Sequence, residues 1–185
     1  MTMQDEVLDF WFAGNAAVFR KVWFEADMDF DAACRRFTDA LREAKTGALD
    51  HWTVTPRGTL ALVILLDQFS RNLHRGSPEA FAADAKAREI ARSAVGRGID
   101  QRLAPMERMF VYLPFEHSED VADQDESVRL FATLREALGE ESMRYTERHR
   151  DVIRRFGRFP HRNAALGRVS TPEELAYLAQ PDAGF

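Results

Sequence analysis

Cysteine is nearly missing from this 185-residue chain, which has only Cys34. One thiol excludes an intrachain disulfide framework, and nothing around it forms a redox or metal-binding pair. A reducing, cytoplasmic setting is expected. Long apolar runs are also missing. The longest, from Leu60 to Leu66, is far short of the ~18 residues that suggest a membrane span. The opening Met1–Glu6 segment is acidic where a signal peptide is basic, so neither export nor anchoring is expected. Positive charge is outweighed, 25 Lys and Arg against 30 Asp and Glu, for a net charge of −5. With a pI near 5.6, this argues against general binding of nucleic acid or of an anionic membrane surface. Strand signals are absent too, since no stretch alternates and no Asn-Gly or Asp-Gly turn joins β-branched runs.

What is present is apolar material at 45%, with 14 Phe among 20 aromatics, far more than a disordered chain carries. One all-helical domain over residues 1–185 fits that size and content. Phe30, Ala33, Cys34, Phe37, Leu41 and Ala44 recur at three- and four-residue steps on one helical face. Thr55-Pro56, Ser77-Pro78 and Thr171-Pro172 pair a capping hydroxyl with Pro at a first helical position, and Glu174 completes a capping box. Gly76, Gly96, Gly139 and Gly157 follow periodic stretches, as left-handed C-caps do. The spacing predicts helices near 3–13, 16–23, 29–45, 56–74, 78–95, 105–113, 119–138, 141–156, 160–167 and 172–179. Short connections favour antiparallel helix pairs, as a bundle or a short solenoid.

Three segments carry candidate chemistry. In the helix from Pro56, residues Leu60–Leu66 are apolar on all sides, after which Asp67, Gln68, Arg71, Asn72, His74 and Arg75 interrupt the pattern. Asp67 and Arg71 stand four apart on one face, either as a structural pair or as part of a ligand-facing stripe. Around Tyr112-Leu-Pro-Phe-Glu-His-Ser118, Pro114 is expected to end or kink a helix and place Glu116 and His117 at a junction, with Ser118 free to cap the next helix. In the third segment, Tyr145, His149, Val152 and Phe156 share a face that turns His149 inward, while Gly157 and Pro160 bracket a turn bearing Arg158, His161, Arg162 and Asn163. A helix start beside such a turn favours an anion.

Charge follows the same division. Residues 116–126 hold six acids and no base, whereas 143–168 hold eight Arg and two acids. The plainer reading is solvated or mutually paired helix faces, and the sharper one an anion site lined by Arg and His. His149-Arg-Asp151 echoes a kinase catalytic loop, but Phe156 stands where that loop needs asparagine. There is no His-Glu-x-x-His, no phosphate-binding glycine loop and no Gly-x-Ser-x-Gly elbow. No cofactor or metal is expected, because a metal site would have to be assembled from scattered Asp67, Glu116, His117, His149 and His161.

Leu66-Asp-Gln-Phe-Ser-Arg-Asn-Leu-His-Arg-Gly76, Tyr112-Leu-Pro-Phe-Glu-His-Ser-Glu-Asp120, Arg155-Phe-Gly-Arg-Phe-Pro-His-Arg-Asn163, Leu166-Gly-Arg168 and Ser170-Thr-Pro-Glu-Glu174 resemble the signature segments of the bacterial family called domain of unknown function 924. The match runs in order over nearly the whole chain. Glu116 departs from the pattern, standing where many members carry methionine. The resemblance implies an all-α fold of antiparallel helix pairs in a tetratricopeptide-like short solenoid, a right-handed superhelix, and no established activity. It also sharpens the site. Asp67, Arg71, Asn72, His117, His149, Arg158, His161, Arg162 and Asn163 are expected to converge on one concave face. Two functions compete, beside a scaffold whose polar motifs merely lock helices together. One is a binding module in which Arg71, Arg158 and Arg162 clamp the carboxylate or phosphate of a small metabolite or peptide. The other is a hydrolase-like enzyme with His149 or His161 as general base, oriented by Asp67.

Overall fold

The computed structural model describes residues 1–181 and 183–184, and among these every regular element is helical. Helix α1 (Met3–Phe12) starts on a capping box in which Thr2 and Asp5 satisfy each other's backbone amides. Helices α2 (Met28–Cys34) and α3 (Thr38–Thr46) are joined by a 3₁₀ turn, so the predicted 29–45 helix tightens at its middle. Helix α4 (Pro56–Ile64) begins on the Thr55 hydroxyl, which accepts from the Gly58 amide at 3.0 Å. It passes into a π turn at Leu65–Phe69 and then α5 (Ser70–Leu73). Next come α6 (Asp84–Gly96), α7 (Pro105–Glu116), α8 (Val121–Ala132), α9 (Arg135–Phe156) and α10 (Pro172–Leu178).

Several expectations are corrected. The 16–23 helix is reduced to one 3₁₀ turn at Lys21–Trp23, because Asn15 draws the Ala17 amide into a local turn. The 160–167 helix likewise contracts to a 3₁₀ turn at Pro160–Arg162. Residues 78–83 form a 3₁₀ turn and its exit, and α6 proper begins only at Asp84. Helix α7 runs through Pro114 for another half-turn. The proline forgoes one hydrogen bond near the helix end, whereas Phe110, Val111, Tyr112, Leu113 and Phe115 around it are all buried. Ser118 does not cap α8. That role falls to Asp120, whose carboxylate accepts from the Ala122 amide at 2.7 Å, while Ser118 binds Asp123. Gly96 ends α6 in right-handed geometry, and the left-handed residue is Gly98. The predicted 119–138 helix ends at Ala132, and Gly139, at φ 82° and ψ 172°, breaks the start of α9 instead of capping a helix in left-handed geometry; Gly157 closes α9 in the left-handed region, as expected.

Helices α4 and α7 lie side by side at the centre. Leu60–Leu66 are completely buried, because α1, α6 and α7 cover α4, and α3 packs on the π turn. Helix α8 packs on α7 and α9, and α10 on the Pro160–Arg162 turn. The main core runs from Val7 to Met143 and is rich in rings, with Trp23, Phe30, Phe69 and Phe110 all packed around Trp11. A smaller apolar cluster, Val152, Ile153 and Phe159 with Phe156 and Tyr177, lies toward the C-terminal end. A layer of buried polar groups is set beside it. No helix among the described residues is long and apolar enough to cross a membrane.

Candidate functional site

The polar layer starts at the π turn, which carries both Asp67 and Gln68 inward. π turns inside α-helices are frequent at functional positions. Asp67 is fully buried, and its carboxylate collects three donors: Gln68 Nε2 at 2.6 Å, His117 Nδ1 at 2.8 Å and the Arg71 guanidinium at 3.2 Å. Burial alone would keep Asp67 protonated. The charge of Arg71 and the bonds from His117 and Gln68 reverse that and hold it well below the usual carboxylate range. Arg71 also donates to the Asp67 carbonyl at 2.6 Å and forks onto Asp84 of α6, with both bonds at 3.0 Å. The Asp67–Arg71 pair read from four-residue spacing is therefore present, and it extends to Asp84.

The passage of α7 through Pro114 places Glu116 on the last helical position and His117 just beyond it. Because Asp67 is ionised, Nδ1 of His117 carries the proton of their bond, and a neutral ring leaves Nε2 as a bare acceptor. Burial, Arg71 and Arg162 keep His117 below its ordinary value against the pull of Asp67. Glu116 behaves oppositely. Burial pushes its carboxyl up to about 7, although the Thr146 hydroxyl donates to it. His149 of α9 donates Nδ1–H to the Tyr145 carbonyl at 2.8 Å and stands 3.6 Å from Glu116. Its ring lies 6.5 Å from that of His117 and 5.7 Å from that of Phe159. Burial holds it well below the usual histidine value.

The turn after α9 supplies His161 and Arg162. The His161 ring lies 5.5 Å from Phe159, and burial, with Arg162 and His117 nearby, lowers it to about 4. The Gly184 backbone lies against His161, so that a Cβ there would come within 3.3 Å of the histidine Cβ. Arg162 is 6% exposed. Its guanidinium sits 4.7 Å from the Phe81 ring centre and 4.6 Å from that of Phe159. Among the described residues one hydrogen bond reaches it, 3.4 Å to an Asp84 oxygen that Arg71 already occupies, and its Nε has none. Burial and the neighbouring Arg71 lower it to about 10, which still leaves it charged at neutral pH.

The structure thus gathers Asp67, Arg71, His117, His149, His161 and Arg162, with Glu116 behind them, around one polar layer. It opens at Arg71, Asp84, His117 and His161, which are all partly exposed. Three other predicted residues face elsewhere. Asn72 donates to Asp31 at 2.6 Å on the α2 side, beside Arg75. Arg158 forks onto Glu174 at 2.6 and 2.8 Å, so it fastens α10 rather than facing the layer. Asn163 joins the same fastening through Ser170, Glu174 and Arg168. The partner of Asp67 is also corrected, since its carboxylate orients His117 and not His149 or His161. Much of the basic block is neutralised by the acidic one or by α10, with Arg154 on Asp125 at 2.7 Å and Arg168 on Glu119 at 2.7 Å.

Asp84, Phe81, Phe159 and Thr146 complete the layer and were not singled out by sequence. Asp84 opens α6, where an acid is ordinary dipole chemistry, and its partners lie 13 and 78 positions away. The one available signal for Phe159 is its place between Arg158 and Pro160 in a distinctive motif. No three His, Cys, Asp or Glu side chains among the described residues are set to hold a metal ion.

Comparison with known proteins agrees with this picture of fold and motif. A solved structure, that of the protein of unknown function ATU0120 from Agrobacterium tumefaciens, is 40% identical over 97% of this chain and 98% of its own, with a TM-score of 0.87. No curated protein matches. The family model for bacterial proteins of unknown function called DUF924 matches residues 7–182, spanning all three chemistry-bearing segments; the chain belongs to that family.

Proposed function

We propose that the Arg162 face binds a small anion, the carboxylate or phosphate of a metabolite or peptide terminus. One observation carries the reading. Arg162 is a buried cation whose guanidinium has, among the described residues, a single hydrogen bond, a 3.4 Å approach to a carboxylate already forked by Arg71. A buried guanidinium left this short of acceptors costs about 1–3 kcal/mol or more, which an anionic ligand would recover. Arg71 supplies further donors, and His117 and His161 edge the opening. A tetratricopeptide-like stacking of helix pairs would set this face in a concavity, as solenoids commonly do. The dispersed, largely paired basic residues favour a compact ligand over nucleic acid, and the lone buried Cys34 suits a cytoplasmic protein.

Thermal unfolding with phosphate and citrate, against potassium chloride at matched ionic strength, tests it. Wild type should melt several degrees higher with at least one of the anions, and Arg162→Met should lose that response. No shift in wild type beyond the chloride control rejects the reading. A second reading, acid–base catalysis, is favoured by the Asp67–His117 bond, which fixes one histidine tautomer as a general base requires. The base would then be His117. Turnover of ester or phosphomonoester substrates that Asp67→Asn abolishes would establish it.

A further inference from the structure

Among the described residues, charge in this layer is balanced below about pH 7, before any ligand arrives. Arg71 and Arg162 are matched by Asp67 and Asp84, the two carboxylates that hold them. Burial keeps the three histidines neutral, and it pushes Glu116 up to about 7, so that it too is uncharged below that pH. An anion added to a neutral, poorly solvated group of charges leaves an unpaired negative charge, which is costly unless a proton accompanies it. His117 has the geometry to take one. Its Nδ1 is committed to Asp67 at 2.8 Å, no hydrogen bond from the described residues engages Nε2, and its side chain is 14% exposed. Facing it are Asp67 and Arg71 from the π turn and α5, Asp84 from α6, Glu116 of its own helix, His149 from α9, and His161 and Arg162 from the following turn. Glu119 lies behind Arg162 and His161, bound to Arg168. His117 is thus held by an ionised carboxylate and partly open to solvent at once.

Resting on the anion-binding reading, we propose that the site takes up its anion together with one proton, which goes to Nε2 of His117. The protonated ring then donates one bond to Asp67 and one to the ligand. Binding is thereby coupled to pH, and a multiply charged anion gains more from the arrangement than a neutral analogue of the same shape.

Sulfate is the probe, because it does not titrate near neutrality. Calorimetry in two buffers of different ionisation enthalpy, at about pH 6.5, should show close to one proton taken up per sulfate bound. Affinity should rise about tenfold for each unit of pH lowered from the pKa of His117 in the complex toward its lower value in the free protein. In His117→Gln, sulfate should bind more weakly with no proton uptake and a flat pH dependence. Nitrogen NMR of the wild type should move the His117 Nε2 signal from the bare to the protonated position as sulfate is added, a readout that does not depend on the variant folding. Sulfate binding without proton uptake, or with the proton on His149 or His161, overturns the coupling and leaves the anion reading intact. Failure of wild type to bind sulfate, together with no response to phosphate or citrate, overturns both.

Discussion

Glu116 and His161 are buried in the same layer and respond to pH in opposite senses. The ordinary pKa of Glu116 is 4.5 and its folded value about 7, so between these the folded state keeps a proton that the unfolded chain has released. Stability therefore falls as pH rises through that window, by about 3 kcal/mol once it is passed. Glu116→Gln, which stays neutral, should be more stable than wild type near pH 8 and close to it near pH 4.5, as urea unfolding at the two pH values will show. His161, lowered from 6.5 to about 4, binds its proton more weakly when folded, so its contribution is lost as pH falls from 6.5 toward 4. His161→Gln should flatten that acid limb. If it steepens instead, the ring is not held neutral. Some of this residue chemistry was legible. Asp67 and Arg71 lie at helical spacing, and the inward turn of His149 follows from its apolar neighbours. The bond from His117 to Asp67 spans fifty positions, and Asp84 looks like any acid in a first turn, so neither left a local trace.

Helix starts were readable because a cap is a local contract between a hydroxyl and an amide three residues on, as at Thr55 and Thr171. The π turn was not. Periodicity carries phase only when one face is polar, and Leu60–Leu66 are apolar on every side, so an added residue in the turn that follows shifts nothing visible. At Pro114 a local rule was overruled by burial. Replacing it should restore the amide that Phe110 lacks as an acceptor's partner, and Pro114→Ala is expected to melt at or above the wild-type temperature despite being a buried substitution. A marked drop would mean that ring packing dominates. Two glycines separate strain from crowding. Gly157 is left-handed with open space around it, so Gly157→Ala should cost about 1 kcal/mol. At Gly58 an added Cβ runs into the Trp52 carbonyl, and Gly58→Ala should cost several times as much. Urea titration of the two variants compares them directly.

At the scale of the whole molecule, the ring-rich core built from α1 to α8 and the small C-terminal cluster meet across the polar layer. The C-terminal part, fastened by Arg158, Asn163 and Glu174, has fewer buried apolar side chains. Amide hydrogen exchange should therefore show residues 157–178 opening at lower free energy than 60–69, with sulfate slowing exchange in the former. Equal protection in both would mean that the two clusters open as one unit. The all-helical class was legible because no alternation competes with three- and four-residue spacing; the adjacency of the two ends of the layer was not, being a matter of tertiary contact alone. That adjacency rests on Asp84, which serves two arginines. Two arginines 91 residues apart thus draw on one carboxylate, so a change at Asp84 is felt at once in the central helices and in the turn after α9.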